Sequence, residues 1–424
     1  MQRNGPRLLL IFGFALAIGC DSVLAKLPTA PSPLFDALDK GDVTAVHRLE
    51  DQLHAHSDTR QLDDAQLRYD LPNLLRLAIN YEDAHFQKGT QGDLMLALRA
   101  NQLARASALG LGDAHAYLQE AIKARKQLLP ALNKSLGGVF TFDNGLDTAD
   151  LEAALRQAPK MSVSWMTAQS TLPVPRVSAM PPDQSAIRPA IELGNHSATA
   201  TILVNAAAIA PVWIVTTPDE PKPFGFTLLV KNIGTATATY HGHPYDAQID
   251  LYLAPSVTFG PLVLHNAAVA VVQSYYVPPT IVIGMPMLRH FGQLSLNDHQ
   301  MTLARSGGHA CQAGAPLSFA SGADLTGSAF FPGSIGGQAA RMSLELDTPF
   351  AVAIKPDFSR AIANGSQVDL AVGAWTVQDR AIVPRTWHDS RDAVLGNGVL
   401  RQNTVSFDFD APTPSICIAK AASK

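Results

Sequence analysis

The chain has 424 residues, 47% of them hydrophobic and 16% charged, with a formal net charge of -4. That length and apolar content exceed what one ordinary core needs and predict two or three units. The charge is small and dispersed, without the Lys/Arg clusters that neutralise phosphates, which excludes nucleic acid as a natural partner. No Cys-x-x-Cys occurs among the three cysteines.

Arg3 and Arg7 precede an apolar run from Leu8 to Ile18 that gives way to small residues, the layout of a secretory leader. The run is too short for a spanning helix, and Val23-Leu24-Ala25 predicts a signal peptide of residues 1–25, cleaved before Lys26. Loss of two arginines and Asp21 takes the formal charge from -4 to -5. The product is expected in the periplasm or outside the cell. The alternative is a lipoprotein anchored through Cys20, with Ala17 where such signals usually carry Leu, Val or Ile. Only in that case is a membrane a partner. Without Cys20, Cys311 and Cys417 remain, and an even pair in an oxidising compartment predicts a structural disulfide.

Residues 32–135 read as an all-α domain. Pro33 and Pro72 suit first-turn positions, Asp42 and Asp113 suit N-caps, and Gly110-Leu111-Gly112 punctuates two helices. Leu94, Leu98, Ala104 and Ala108, then Tyr117, Leu118, Ala121 and Ile122, give small-and-large apolar faces that loosely resemble tetratricopeptide or Sel1-type pairs, although no fixed period repeats. Residues 136–190 read as a connector. It holds strand-like Val139–Phe142 and Ser162–Trp165, a short helix capped near Asp147, and the prolines 173, 175, 181, 182 and 189. From Thr199 to Ile418, short β-branched runs broken by Gly, Pro, Asn and Asp predict an all-β region. A Gly-rich linker, 306–337, divides it into a first lobe, 191–305, and a second lobe, 325–420.

The two β segments repeat each other. Gly260–Ala270 aligns without gaps on Gly373–Val383, and Val282-Ile283-Gly284 with Leu288-Arg289 aligns on Val394-Leu395-Gly396 with Leu400-Arg401. Each copy then ends in a strand, Gln293–Asn297 and Thr404–Asp408. Upstream, Trp213–Pro218 is set against Ser343–Phe350 around a shared Thr-Pro.

In this order and duplication the chain resembles the retropepsin-like aspartyl peptidases of bacteria, in a tandem, pepsin-like arrangement. The resemblance covers about residues 190–420. It implies an α+β protein, an N-terminal all-α domain followed by a two-lobed all-β aspartic-peptidase-like domain. It also implies a dyad, one Asp from each lobe, in which one carboxylate acts as base on a water and the other as acid. Asp347 is the candidate dyad carboxylate. The shared Thr-Pro sets Thr216 as its degenerate counterpart, with Pro218 and Pro349 in place of the family's Gly. A threonine hydroxyl is no general base near neutral pH. Thr217 and Thr348, with Gly284 and Gly396, are the residues that brace the site.

Asp219 is a second acid near Thr216 that reads as a loop residue. His241 and His243 share a strand face in the flap-like segment without a third ligand nearby, and His54 and His56 are weaker still. Gly333–Gly337 reads as a hairpin turn rather than a nucleophile elbow. No metal or cofactor is expected. The expected partner is an extended peptide or protein segment bound between the lobes without efficient hydrolysis. Two alternatives stand beside it: an active endopeptidase in which Asp347 pairs across a homodimer or with an unrecognised acid, and a helical scaffold protein.

Overall fold

The computed structural model describes residues 15–17, 33–53, 55–138, 146–174, 176–178, 185–204, 209–216, 224–240, 243–273, 280–306, 314–322, 324, 325, 327–346, 350–356, 358, 362, 365–383 and 391–421. The helical domain runs through α1 (Pro33–Asp39), α2 (Val43–Gln52), α3 (Ser57–Leu67), α4 (Leu71–Lys88), α5 (Gln91–Leu111) and α6 (Ala114–Lys123). A π-helical turn (Ala124–Leu128) then leads into α7 (Leu129–Ser135). Pro33 opens α1 and Pro72 lies in the first turn of α4, where no intrahelical donor is lost. Asp42 and Asp113 cap α2 and α6 by accepting the backbone N–H of Ala45 and Ala116. Gly112, left-handed at φ 87°, ends α5.

Residues 146–173 are more than a connector. The helix α8 (Thr148–Gln157), capped by Asp147, joins the helical layer. Counting Ala15–Ala17 as β1, β2 (Ser162–Trp165) is an edge strand of the first-lobe sheet, and β3 (Gln169–Pro173) is an edge strand of a sheet between the lobes. The hairpin β4 (Arg176–Ser178) and β5 (Ser185–Ile187) follows.

Lobe 1 contains β6 (Ala190–Leu193), β7 (His196–Ile202), β8 (Val212–Thr216), β9 (Thr227–Tyr240), β10 (His243–Phe259), β11 (Leu262–Gln273) and β12 (Thr280–Ile283). After it come the short helix α9 (Met285–Leu288), β13 (Gln293–Leu296) and β14 (Gln300–Ala304). Lobe 2 contains β15 (Ala315–Pro316), β16 (Ser318–Ser321), β17 (Gly327–Ile335), β18 (Gln338–Glu345), β19 (Val352–Ile354), β20 (Gln367–Val372), β21 (Trp375–Ile382) and β22 (Ala393–Gly396). A 3-10 turn (Asn397–Arg401), β23 (Asn403–Asp408) and β24 (Ser415–Lys420) complete the chain. Most of the described residues of the Gly-rich stretch are thus in sheet. Within it, Gly336 and Gly337 form the β17–β18 turn expected there.

The lobes share one pairing plan. In lobe 1 the β6–β7 hairpin sends β7 alongside β12 in parallel; β12 runs antiparallel to β8, and β8 is parallel to β11. In lobe 2 the β17–β18 hairpin sends β18 alongside β22 in parallel; β22 runs antiparallel to β19, and β19 is parallel to β21. Gly260 and Gly373 open corresponding hairpin turns at φ 58° and 56°. Between the lobes lies a six-stranded sheet, β15-β24-β23-β13-β14-β3. At its centre β13 and β23 pair antiparallel, with the Ser295 and Ser406 hydroxyls 2.8 Å apart.

The helical domain covers both lobes, by different chemistry. On lobe 1, Tyr117, Leu118 and Leu151 share a core with Trp213, Val215, Ile249 and Leu251. The other face of β8, Val212 and Ile214, enters the interior core. A strand covered on both faces has no polar side, which explains the unbroken Val-Trp-Ile-Val run. On lobe 2 the contact is closer and more polar. A Cβ on Gly41 would sit 2.8–2.9 Å from the backbone of Phe319 and Ala320, Gln66 donates to the Gly322 carbonyl at 3.5 Å, and the Arg341 guanidinium donates to the Lys40 carbonyl.

Candidate functional site

Asp347 and Thr348 lie outside the described residues, as do Pro349, Thr217, Pro218 and Asp219, but the strands that lead to them fix the correspondence between lobes. In parallel pairing, Ile202 lies beside Ile283 and Leu344 beside Leu395, each one residue before the glycine of its turn. Val204 and Leu346 are both buried at the next inward position. Asp347 is three residues beyond Leu344, and three residues beyond Ile202 the sequence has Asn205.

Thr216 is therefore not the counterpart of Asp347. It ends β8, whose pairings with β12 and β11 match those of β19, the strand that follows the Asp347 loop. Val212 and Val352 hold equivalent registers, which places Thr216 four residues beyond, about 13 Å along the strand. The shared Thr-Pro is a coincidence of composition, and Thr217 falls with it as a bracing residue: the position matching Thr348 is Ala206. Nine residues separate Ile202 from Val212 and seven separate Leu344 from Val352. Counting back from the later strand lands on Ala207 rather than Asn205, and neither is an acid. The lobe-1 loop, Leu203-Val204-Asn205-Ala206-Ala207-Ala208-Ile209-Ala210-Pro211, contains no carboxylate.

Gly284 and Gly396 do occupy equivalent turns, with φ, ψ of -104°, -177° and -92°, 179°. The lobe-2 turn grips the loop around Asp347 from both ends. The Asn397 side-chain amide donates to the Leu346 carbonyl at 3.1 Å, Gly396 N–H to the Ala351 carbonyl at 3.0 Å, and Gly398 N–H to the Phe350 carbonyl at 3.1 Å. A Cβ on Gly398 would meet the Phe350–Ala351 backbone at 2.8 Å, so only glycine allows this approach. In lobe 1 the matching residue is Pro286, which has no N–H to offer.

The nearest acid in sequence to Asp347 is already engaged. Leu344 is buried and the alternating side chains of Ser343 and Glu345 meet Arg391, whose Nη1 donates to Ser343 Oγ at 3.1 Å and to Glu345 Oε1 at 2.6 Å. Such a charge-assisted pair commits the carboxylate to Arg391.

The β9–β10 hairpin spans 14 and 17 residues, and at its base a buried carboxylate does structural service. Asp250 accepts the N–H of Asn232, which is left-handed at φ 53°, and also the Gln273 amide, at the register shift between Ile249 and Leu251. One edge of β9 pairs with β10; the other takes Ala15–Ala17 as an antiparallel strand, Leu16 opposite Ala236. His54, His241 and the His243 side chain lie outside the described residues. Among the described residues no group of three His, Cys, Asp or Glu could hold a metal ion. Cys417 on β24 is disulfide-bonded. Cys311, its expected partner, lies outside the described residues, four positions before Ala315, which pairs with Ile416.

No family model and no curated protein matches the chain. Among solved structures it is similar to an aspartic proteinase from Irpex lacteus, at 12% identity and a TM-score of 0.40, covering 60% of this chain and 98% of that one. It is similar to basic 7S globulin from soybean at 11% identity and a TM-score of 0.36, covering 60% and 95%. A retropepsin-like aspartic protease from Rickettsia conorii matches at 15% identity and a TM-score of 0.23, covering 34% and 95%. It is the chain's own strand pairings, repeated lobe by lobe around a shared central sheet, that make this an α+β protein with a two-lobed aspartic-protease-like fold behind an all-α domain.

Proposed function

We propose that this is an exported protein that binds an extended peptide or protein segment between its lobes without hydrolysing it. The observation that carries the reading is the absence of any carboxylate from the lobe-1 loop that corresponds to the Asp347 loop. With Asn205 or Ala207 at that position, the lobe-1 loop offers Asp347 no carboxylate with which to share a proton. No second acid then protonates the departing amine while water is activated. An amide in place of a carboxylate still offers a ligand hydrogen bonds, but it cannot exchange protons at neutral pH. Binding needs no dyad. The long hairpin of lobe 1 has a strand edge that already accepts Ala15–Ala17 in antiparallel register, and a main-chain edge of this kind suits any extended segment.

The test is direct. The mature chain, incubated with a mixed peptide library over a pH scan from about 3 to 7, is expected to release no fragments while retaining peptides on a column. Asp347→Asn is expected to leave retention unchanged. Asn205→Asp is expected to introduce at most a trace of cleavage, because Pro349 still stiffens the lobe-2 loop. Robust cleavage by the wild-type chain that Asp347→Asn abolishes would instead favour an active endopeptidase in which Asp347 pairs across two copies or with an unrecognised acid.

A further inference from the structure

A cavity of about 450 Å³ lies away from the cleft, where the helical domain meets the central sheet. The corner between α3 and α4 forms one wall, the segment following the Gly284 turn another, and the β23–β24 hairpin the third. Three arginines line it: Arg68, Arg289 and Arg305. Arg289 is the arginine of the internal repeat, and its counterpart Arg401 is exposed on lobe 2. Here the guanidinium is drawn inward. Nε donates to the Tyr69 carbonyl at 3.0 Å, Nη1 donates to the Phe409 carbonyl at 3.3 Å, and the group lies 4.9 Å from the centre of the Phe409 ring.

The charge balance of this cavity is unusual for an acidic chain. Among the described residues no carboxylate lies within ion-pair distance of Arg289 or Arg305, and Arg68 reaches Asp64 only at 3.9 Å. Both aspartates on the wall act on Arg289 at longer range, Asp70 first and then Asp410, and Asp70 also caps α4, where it is held by the Asn73 amide at 2.7 Å. His290, also on the wall, stays neutral: burial pushes it down to about 4, against the effect of its hydrogen bond to the Leu111 backbone. A guanidinium remains ionised at every relevant pH, and a buried one without a close counter-charge is costly. Its planar fork matches the oxygens of a carboxylate or phosphate.

We propose that this cavity is a binding site for a small oxyanion of the carboxylate or phosphate class, held by Arg289 with Arg68 and Arg305. Its walls come from the helical domain, lobe 1 and the central hairpin, so the anion ties the three together and stabilises the assembled chain by mass action. Calorimetric titration and thermal denaturation of the full mature chain, at constant ionic strength, would use inorganic phosphate in one arm and succinate in the other. Saturable binding of at least one, with a rise in Tm, is expected, and the arm that responds identifies the class. Arg289→Gln also removes two bonds to backbone carbonyls, so Arg305→Gln and Arg68→Gln carry the test. Each is expected to weaken binding about tenfold, with peptide retention in the cleft unchanged. No saturable binding of either anion up to about 20 mM, or binding that both variants leave unaltered, overturns the proposal.

Discussion

In lobe 2 the strand β18 runs into Leu346 and Asp347, and a turn with glycine at 396 and 398 closes over the loop that follows. In lobe 1 the equivalent strand β7 runs into Val204 and Asn205, a longer loop of alanines follows, and the turn carries Pro286 in place of the second glycine. Lobe 1 instead has the long β9–β10 hairpin, in which β10 has 17 residues against 6 for its counterpart β20. One lobe carries the acid and the other the longer hairpin. The shared strand plan survives this divergence because it rests on burial and ladder hydrogen bonds, which no loop carboxylate supports. A further contrast is covalent. Cys417 ties down β24, whereas the corresponding β14 has no cysteine.

The largest effect should come from that staple. A bond from Cys417 to Cys311 closes a loop of about 106 residues around lobe 2, worth roughly 4 to 5 kcal/mol in the chain-entropy account. Reduction or Cys417→Ser is expected to lower the stability of lobe 2 by that order and to leave lobe 1 protected in hydrogen exchange. Peptide mapping of the unreduced protein identifies the partner, and two lobes that lose protection equally would show that the bond does not set them apart.

A second contrast lies in how the helices cover the two sheets: the β8 face of lobe 1 shares an apolar core with α6 and α8, whereas the β16–β18 side of lobe 2 also meets the helices through polar contacts. Near the lobe-2 contact Glu50 and Asp63 are buried against one another, 1% and 5% exposed, with Arg99 behind Asp63 and His47, Asp64 and Arg60 around Glu50. Burial first, and then the neighbouring Glu50, push Asp63 up to about 8. A carboxyl whose folded pKa is raised contributes stability that is complete below its unfolded pKa, near 4, and lost as pH rises through about 8. The packing of α2 against α3 is therefore expected to weaken between those limits, by on the order of a few kcal/mol. Asp63→Asn should flatten the profile, and thermal melts from pH 5 to 9 would show it; an equally steep profile in the variant would remove Asp63 as the cause.

Much of this architecture is legible in the sequence. The caps at Asp42, Asp113 and Asp147, the helical domain and the strand before Trp165 follow from local rules. The duplicated Gly-turn pattern leads to two lobes because a tight turn needs its glycine wherever it recurs. The misreading of Thr216 has a physical origin. A Thr-Pro pair is a local string, whereas the equivalence of strands is decided by parallel partners, β7 with β12 and β18 with β22, drawn from about 80 and 50 residues away. Loop length differs between the copies, so ungapped matching cannot reach Asn205. Its signal was the apolar Ile202-Leu203-Val204 run ending in Asx, as Leu344-Glu345-Leu346 does. The charges of the anion cavity are equally illegible, since Arg68, Arg289 and Arg305 meet only in the folded chain.

The smallest effect returns to the two turns. Gly398 and Pro286 hold the same position, two residues after Gly396 and Gly284, and Gly398 lies against the backbone of its loop. Gly398→Ala forces a Cβ to within 2.8 Å of the Phe350–Ala351 peptide, which must move or break the bond from Gly398 N–H to the Phe350 carbonyl. Overpacking of this kind costs about 1 to 2 kcal/mol. Because the loop is also held by Asn397 and Gly396, the strain is expected to appear as a displaced 347–350 segment rather than an unfolded lobe. Pro286→Ala meets no such contact and should cost less. Amide exchange at Gly398 and Ala351, read beside the stability of both variants, measures the difference. If the two substitutions cost the same, the grip of the turn on the Asp347 loop is not what sets lobe 2 apart from lobe 1.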